Sequence, residues 1–294
     1  MSAVLTHLGF GFLWLFHWLP LGIQAAIGNL VGWLAFHLTQ RRKHVAQRNL
    51  EHCFPEKSPA EIQRLVRRNI QASVRATLEH GLLIWASAAR LKRLVRIENQ
   101  ALMDSLNGQP VVLLVPHFVG IDMGGTRLSV DRLLANMYST SRNPVVDRHL
   151  LHSRIRFTPT RLVTRHDGIR SLIRHVQSGI PLHYSPDQDY GRRESIFIPF
   201  FGIPAATIPA LSRLAKVTGA KVIPAITRQL PGRKGYVLKF YPAWENFPTD
   251  DIEADTRRMN AFIEDRIREM PEQYLWTHRR FKTRPNRSDP GFYG

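Results

Sequence analysis

The sequence is short of cysteine everywhere and of charge at its start. A single cysteine, Cys53, stands among 294 residues, so no intramolecular disulfide can form and no thiolate cluster can hold zinc or an iron–sulfur centre. That economy favours a reducing, cytosol-facing location. Residues 1–40 contain no Asp, Glu, Lys or Arg, and Arg41, Arg42 and Lys43 follow at once. Acidic residues are scarce throughout, 23 against 41 Lys plus Arg, for a formal net charge of +18. There is no low-complexity basic tail, RNP-like strand motif, zinc-finger spacing or basic zipper, which argues against nucleic acid as a partner. There is also no G-x-S-x-G elbow to carry an acyl-serine. No interdomain linker or internal repeat is visible, and 44% hydrophobic content excludes a disordered chain.

Two apolar runs fill the uncharged stretch, Ala3 to Leu19 and Leu21 to Leu38, parted by Pro20. The second approaches the roughly 20 residues of a membrane-crossing helix. One span, or a hairpin dipping into one leaflet, fits; a buried, water-soluble hairpin is the alternative. A cleavable leader is disfavoured, because the start lacks positive charge and the apolar part is long and rich in Trp and Phe. The cationic cluster that follows reads as cytoplasmic and as attractive to anionic lipid. The chain therefore divides into an anchor over 1–40, a globular domain over 41–285 and a flexible tail over 286–294.

Ser58-Pro59-Ala60-Glu61 carries a capping-box pattern with Pro at the first helical position, and a helix is expected from there to about Ala88. Val111 to Val115 between Pro110 and Pro116 reads as a strand buried on both faces. Further strands are expected at 134–139, 161–164, 180–185, 221–226 and 236–241, and helices at 122–132, 145–156, 167–177, 207–218 and 250–270. The alternation predicts an α/β fold with a mixed, largely parallel central sheet flanked by helices.

Ligands of open α/β sheets bind beyond the carboxyl ends of strands, which is where His117 falls. A histidine can take a proton from a hydroxyl near neutral pH, and a carboxylate can fix its tautomer. Asp122, five residues on, can fold back to do so; the alternative is a strand-end His with Asp122 as a helix cap. His117 and Asp122 match the H-x4-D motif of glycerolipid-type acyltransferases. With the stretches Arg165 to Arg170, Ser185 to Gly191, Ile198 to Thr207 and Pro271 to Pro285, in that order, nearly the whole chain resembles the lipid A biosynthesis lauroyl/myristoyl acyltransferases.

The resemblance implies transfer of a fatty acyl chain from acyl carrier protein to a hydroxyl of a phosphorylated, Kdo-bearing lipid A precursor. The implied place is the cytoplasmic face of the bacterial inner membrane. The carrier and the saccharolipid are both acidic, in keeping with +18. No cofactor is expected beyond the acyl carrier thioester, and no metal, although His149 and His152 lie three apart on an expected helix. His117 is the expected base, with Asp122 orienting it. Backbone N–H groups around Gly120 or Gly124-Gly125 are candidate oxyanion donors. Arg142, Arg154, Arg156 and Arg165 are candidate phosphate or oxyanion ligands, and Asp187 and Asp189 candidate partners of sugar hydroxyls or of those arginines. Pro116 replaces the Asn that often precedes the His in the wider group, and Asp187-Gln188-Asp189 stands where a Glu-Gly-Thr-Arg block is usual. Phe197, Phe200, Phe201 and Ile203 suit an acyl tunnel or a packed core, and Cys53 reads as inert packing. Transfer to another lipid acceptor, such as a lysophospholipid or an acylated amino acid, is the competing activity. A non-catalytic basic membrane-surface protein is the competing class.

Overall fold

A computed structural model of the chain describes residues 3–164 and 168–294. Two apolar helices, α1 (Ala3–His17) and α2 (Leu21–Leu38), lead into α3 (Gln40–Cys53), α4 (Pro59–Leu78), α5 (His80–Trp85) and α6 (Ala88–Leu94). The α/β part follows as β1 (Val95–Glu98), α7 (Gln100–Asp104), β2 (Val111–Leu114), α8 (Ile121–Ser129), β3 (Ala135–Met137), α9 (Pro144–Ile155), β4 (Arg161–Val163), α10 (Gly168–Gln177) and β5 (Leu182–Tyr184). A hairpin of β6 (Ile196–Phe200) and β7 (Ile203–Thr207) precedes α11 (Ala210–Thr218), β8 (Lys221–Gln229), β9 (Tyr236–Phe240) and α12 (Ile252–Glu269).

Among the described residues seven strands form the main sheet, in the order β1-β9-β8-β2-β5-β3-β4. Every pairing is parallel except β8 with β9, which is the mixed, largely parallel sheet expected. β2 sits in the middle with all four residues buried, as a proline-bounded apolar run should when helices cover both faces.

The capping box forms as expected: Ser58 N–H donates to Glu61 at 2.9 Å, and Glu61 N–H to Ser58 Oγ at 3.4 Å. The helix it starts ends ten residues early, at Leu78 instead of about Ala88. Glu79 turns inward there, where its carboxylate takes a 2.6 Å hydrogen bond from Arg75 Nε and another from the Tyr236 hydroxyl. All three side chains are buried, so a satisfied buried ion pair, not helix propensity, sets the break. β1, α3 and the β6–β7 hairpin were not foreseen. Phe200 is fully buried among Tyr274, Phe281 and Arg280, and Phe201 at the hairpin turn packs on Phe54 and Trp276, so these rings are core rather than tunnel lining.

The segment expected to be a loose tail is tied down. Tyr293 is 7% exposed, and its hydroxyl donates to Asn49 Oδ1 at 2.6 Å while accepting Phe281 N–H at 3.0 Å. Its composition is loop-like, but two aromatic rings, Phe292 and Tyr293, anchor it beside Phe281 and α3.

α2 is 18 residues long and apolar enough to cross a membrane by length and composition. Its stripe Leu21, Gln24, Ala25, Gly28, Gly32 and Phe36 is buried, largely against α4: a Cβ added at Gly32 would lie 2.5 Å from Gln71 Cα, and one at Gly28 2.9 Å from Arg75 Cα. The opposite face exposes Leu30, Trp33, Leu34 and Leu38.

Candidate active site

The register of the central strands builds the site. β2 and β5 are parallel neighbours with Leu114 opposite Tyr184, and His117 and Asp187 each lie three residues beyond that pair. The two chains leave the sheet side by side and carry an imidazole and a carboxylate to the same end. His117 N–H donates to Asp187 Oδ2 at 2.9 Å, and His117 Nδ1 lies 2.6 Å from Asp187 Oδ1. A carboxylate only accepts, so Nδ1 carries the proton and Nε2 keeps its lone pair. Asp187 is 1% exposed while the His117 side chain is 23% exposed, so the pair is braced inside and the ring edge is open.

The strap that follows α12 holds His117 from the other side. Leu275 N–H donates to the His117 carbonyl at 3.0 Å, and Val119 N–H to the Gln273 carbonyl at 2.8 Å. The Tyr274 hydroxyl reaches the Asp187 carbonyl at 3.4 Å. Burial disfavours an ionised Asp187, but the charge of His117 and the hydrogen bonds from its ring and backbone outweigh this and hold its carboxyl below the usual range. The same balance runs the other way for His117: desolvation opposes protonation, Asp187 and then Asp122 favour it, and the net shift is upward.

Asp122, expected to orient His117, does not touch it. It lies in the first turn of α8, with Oδ2 3.5 Å from His80 Nε2 and Oδ1 3.5 Å from Arg154 Nη2. Its side chain is 45% exposed; desolvation in the pocket is the largest influence opposing its ionisation, and the hydrogen bond from His80 and the charge of Arg154 overcome it, holding the carboxyl well below the usual range. His80, Asp122 and Arg154 share a cavity wall with His183 and Gly125. His183 Nε2 is buried without a hydrogen bond, and burial with Arg154 nearby pushes that ring down to about 4. It is a neutral imidazole against Gly125, where a Cβ would stand 3.3 Å from Nε2.

The remaining candidates separate. Arg156 donates to the Ala86 carbonyl at 2.6 Å and the Leu82 carbonyl at 3.4 Å, so it closes the end of α5 instead of meeting an anion. Arg142 is exposed in the loop before α9. Arg165 lies outside the described residues. Asp189 is 2% exposed and accepts from Thr283 N–H, Thr283 Oγ1 and Gly191 N–H at 2.8 to 2.9 Å; like Asp187 it is too buried and too engaged to meet sugar hydroxyls, and its work is to fasten the strap. Gly124 N–H is taken by the Gly120 carbonyl at 3.0 Å, which removes it as an oxyanion donor. Cys53 is buried at the end of α3, and desolvation pushes its thiol far up. His80 and His183 went unnoticed in the sequence; no spacing links 80 to 122, and only the fold brings them together.

The sequence matches the family described as bacterial lipid A biosynthesis acyltransferase over residues 1–283. It is 34% identical over 284 residues to a lipid A biosynthesis lauroyltransferase of Escherichia coli K12, covering 96% of this chain and 92% of that protein. It is 31% identical over 265 residues to a lipid A biosynthesis myristoyltransferase of the same organism, covering 89% and 80%. A solved 1-acyl-sn-glycerophosphate acyltransferase from Thermotoga maritima aligns over 83% of this chain and 97% of its own at 14% identity, with a TM-score of 0.39, too loose a likeness to place residues. On the family match and the two relatives, this chain belongs to the bacterial lipid A biosynthesis acyltransferases and is an acyltransferase.

Proposed function

We propose that the chain moves a fatty acyl group from the thioester of acyl carrier protein to a hydroxyl of a phosphorylated, Kdo-bearing lipid A precursor, at the cytoplasmic face of the bacterial inner membrane. The observation that carries the mechanism is the His117–Asp187 pair, a fixed tautomer with Nε2 unprotonated at the open end of the central strands. Nε2 takes the proton of the acceptor hydroxyl as its oxygen attacks the thioester carbonyl. The tetrahedral intermediate collapses with loss of the carrier's thiolate, which recovers the proton from the imidazolium. Asp187 holds the ring and stabilises its charged form. Arg154, held by Asp122 in the first turn of the helix that follows His117, is the candidate cation for the oxyanion. The steps balance without a redox cofactor. The net charge of +18 favours acidic partners on both sides of the reaction. The α1–α2 hairpin lies in the lipid interface with its exposed apolar face down, since α2 is seated along α4, which exposes Arg64, Arg67 and Arg68.

The test is transfer from a panel of acyl carrier thioesters to the saccharolipid and to a lysophospholipid in competition, for the wild type and His117→Ala. Loss of about 10²-fold or more on the saccharolipid is expected of the variant. Activity persisting in the variant removes His117 as base, and preference for the lysophospholipid overturns the acceptor.

A further inference from the structure

A second concave site lies away from the cavity beside Asp122. The start of α3 and the strap beyond Trp276 enclose a groove of ≈ 410 Å³ floored by Val45 and otherwise lined by Arg41, Arg42, Thr277, His278, Arg279 and Lys282. Arg41, Arg42, Arg279 and Lys282 are exposed. Lys282 Nζ lies 4.0 Å from Asp189 Oδ1, and that carboxylate already accepts from Thr283 and Gly191. Among the described residues no carboxylate pairs with Arg41, Arg42 or Arg279. The groove is thus a cluster of four cations of which only Lys282 has a carboxylate within ion-pair reach, and that carboxylate is engaged elsewhere.

We propose that this groove seats a phosphate monoester of the lipid acceptor, an inference that rests on the acceptor reading above. Guanidinium forks match phosphate oxygens two at a time, and the Thr277 hydroxyl adds a neutral donor. His278 Nε2 accepts the Asp189 N–H at 3.0 Å, so the ring is neutral and its Nδ1–H is a further donor. Burial, then Arg280 and Lys282, push that ring down to about 4, in keeping with this tautomer. Position argues for a lipid phosphate over a soluble one. α3 begins two residues after α2 ends, so Arg41 and Arg42 stand where the uncharged hairpin gives way to headgroups. The groove is also wired to the reaction centre: His278 to Asp189, Asp189 two residues from Asp187, and Asp187 to His117.

The experiment uses the full chain in neutral detergent micelles free of anionic phospholipid, with the phosphorylated acceptor and the same acceptor lacking one phosphate. For Arg41→Gln/Arg42→Gln, and separately for Arg279→Gln, KM for the phosphorylated acceptor rises about tenfold or more with kcat within about twofold. The wild type suffers the same rise when the phosphate is removed, and the variants suffer no further rise. Equal penalties on both acceptors overturn the proposal in favour of the acceptor's sugar carboxylates. An unchanged KM overturns it outright, and a penalty seen only when anionic vesicles replace the micelles assigns the groove to bulk lipid. A wild type that turns over only a lysophospholipid overturns the acceptor reading itself, which the wild-type control reads independently of the variants.

Discussion

Asp187 holds His117 through both its ring and its backbone N–H, and this doubling separates its two effects. As a hydrogen-bond partner it fixes the tautomer, and as a charge it raises the His117 pKa above its ordinary 6.5. The proposed base works when deprotonated, so the rate is expected to fall as pH drops through that raised pKa, with the acid limb of kcat/KM above that of an ordinary histidine. In Asp187→Asn the charge is gone, the His117 pKa falls and the limb moves to lower pH. The plateau nevertheless drops by at least about 10²-fold, because the amide can present its N–H₂ to Nδ1 and turn the wrong tautomer outward. Asp122→Asn moves the limb less, since Asp122 acts on His117 only as the last and smallest of the influences raising it. A pH–rate profile of the three proteins checks this; a larger shift from Asp122 than from Asp187 would return the orienting role to the former.

At the scale of elements, the seat of α8 on β8 depends on missing atoms. A Cβ at Gly124 would meet Thr227 Oγ1 at 1.9 Å, and one at Gly120 the Thr227 carbonyl at 2.8 Å. Gly124→Ala therefore pushes α8 off the sheet, costing about 1–3 kcal/mol as overpacking, and carries Asp122 away from His80 and Arg154. Thr227 Oγ1 is buried without a hydrogen bond, so Thr227→Ala alone removes an unsatisfied group and costs little. In the double variant the nearest remaining atom is the residue-227 Cβ at 3.0 Å, and the helix returns. Thermal unfolding of the four proteins should show a coupling of about 0.5 kcal/mol or more toward rescue; additivity would mean that the two positions do not meet. This contact also marks the limit of what was legible beforehand. Periodicity, capping and proline punctuation are local, so β2, the start of α4 and the sheet class could be read from Ser58, Pro110 and Pro116. His117 could be found because a strand end is a local feature too. Its partner could not: Asp122 is near in sequence and Asp187 near in space, and the choice turned on the register of β2 with β5, which no local pattern states. Once Leu114 stands opposite Tyr184, the equal offset of three residues makes the pairing plain. The early end of α4 was hidden for the same reason, since Glu79 breaks the helix to reach Tyr236 on β9.

For the whole molecule, charge and apolar surface both favour a membrane, and salt separates them. Arg41, Arg42 and the remaining positive charge attract anionic headgroups at about 1 kcal/mol per residue near the surface, an attraction that fades as the Debye length shrinks to about 3 Å at 1 M salt. The hairpin adds a contribution that salt does not weaken. Leu8, Leu15 and Trp18 on one side of Pro20 and Leu30, Trp33, Leu34 and Leu38 on the other are all exposed, and each large apolar side chain buried in lipid contributes roughly 1.5–3 kcal/mol. These residues spare the buried stripe of α2, whose Gly28 and Gly32 are locked to α4, so substituting them leaves the fold in place. Cosedimentation with vesicles at about 1 M salt should therefore retain the wild type, on neutral lipid as on anionic. Trp18→Ser/Trp33→Ser/Leu34→Ser should lose the salt-resistant part by about tenfold or more while keeping the low-salt binding to anionic vesicles. Complete release of the wild type by salt would mean that charge alone holds the protein at the bilayer and that the exposed face of α1 and α2 is covered by something other than lipid.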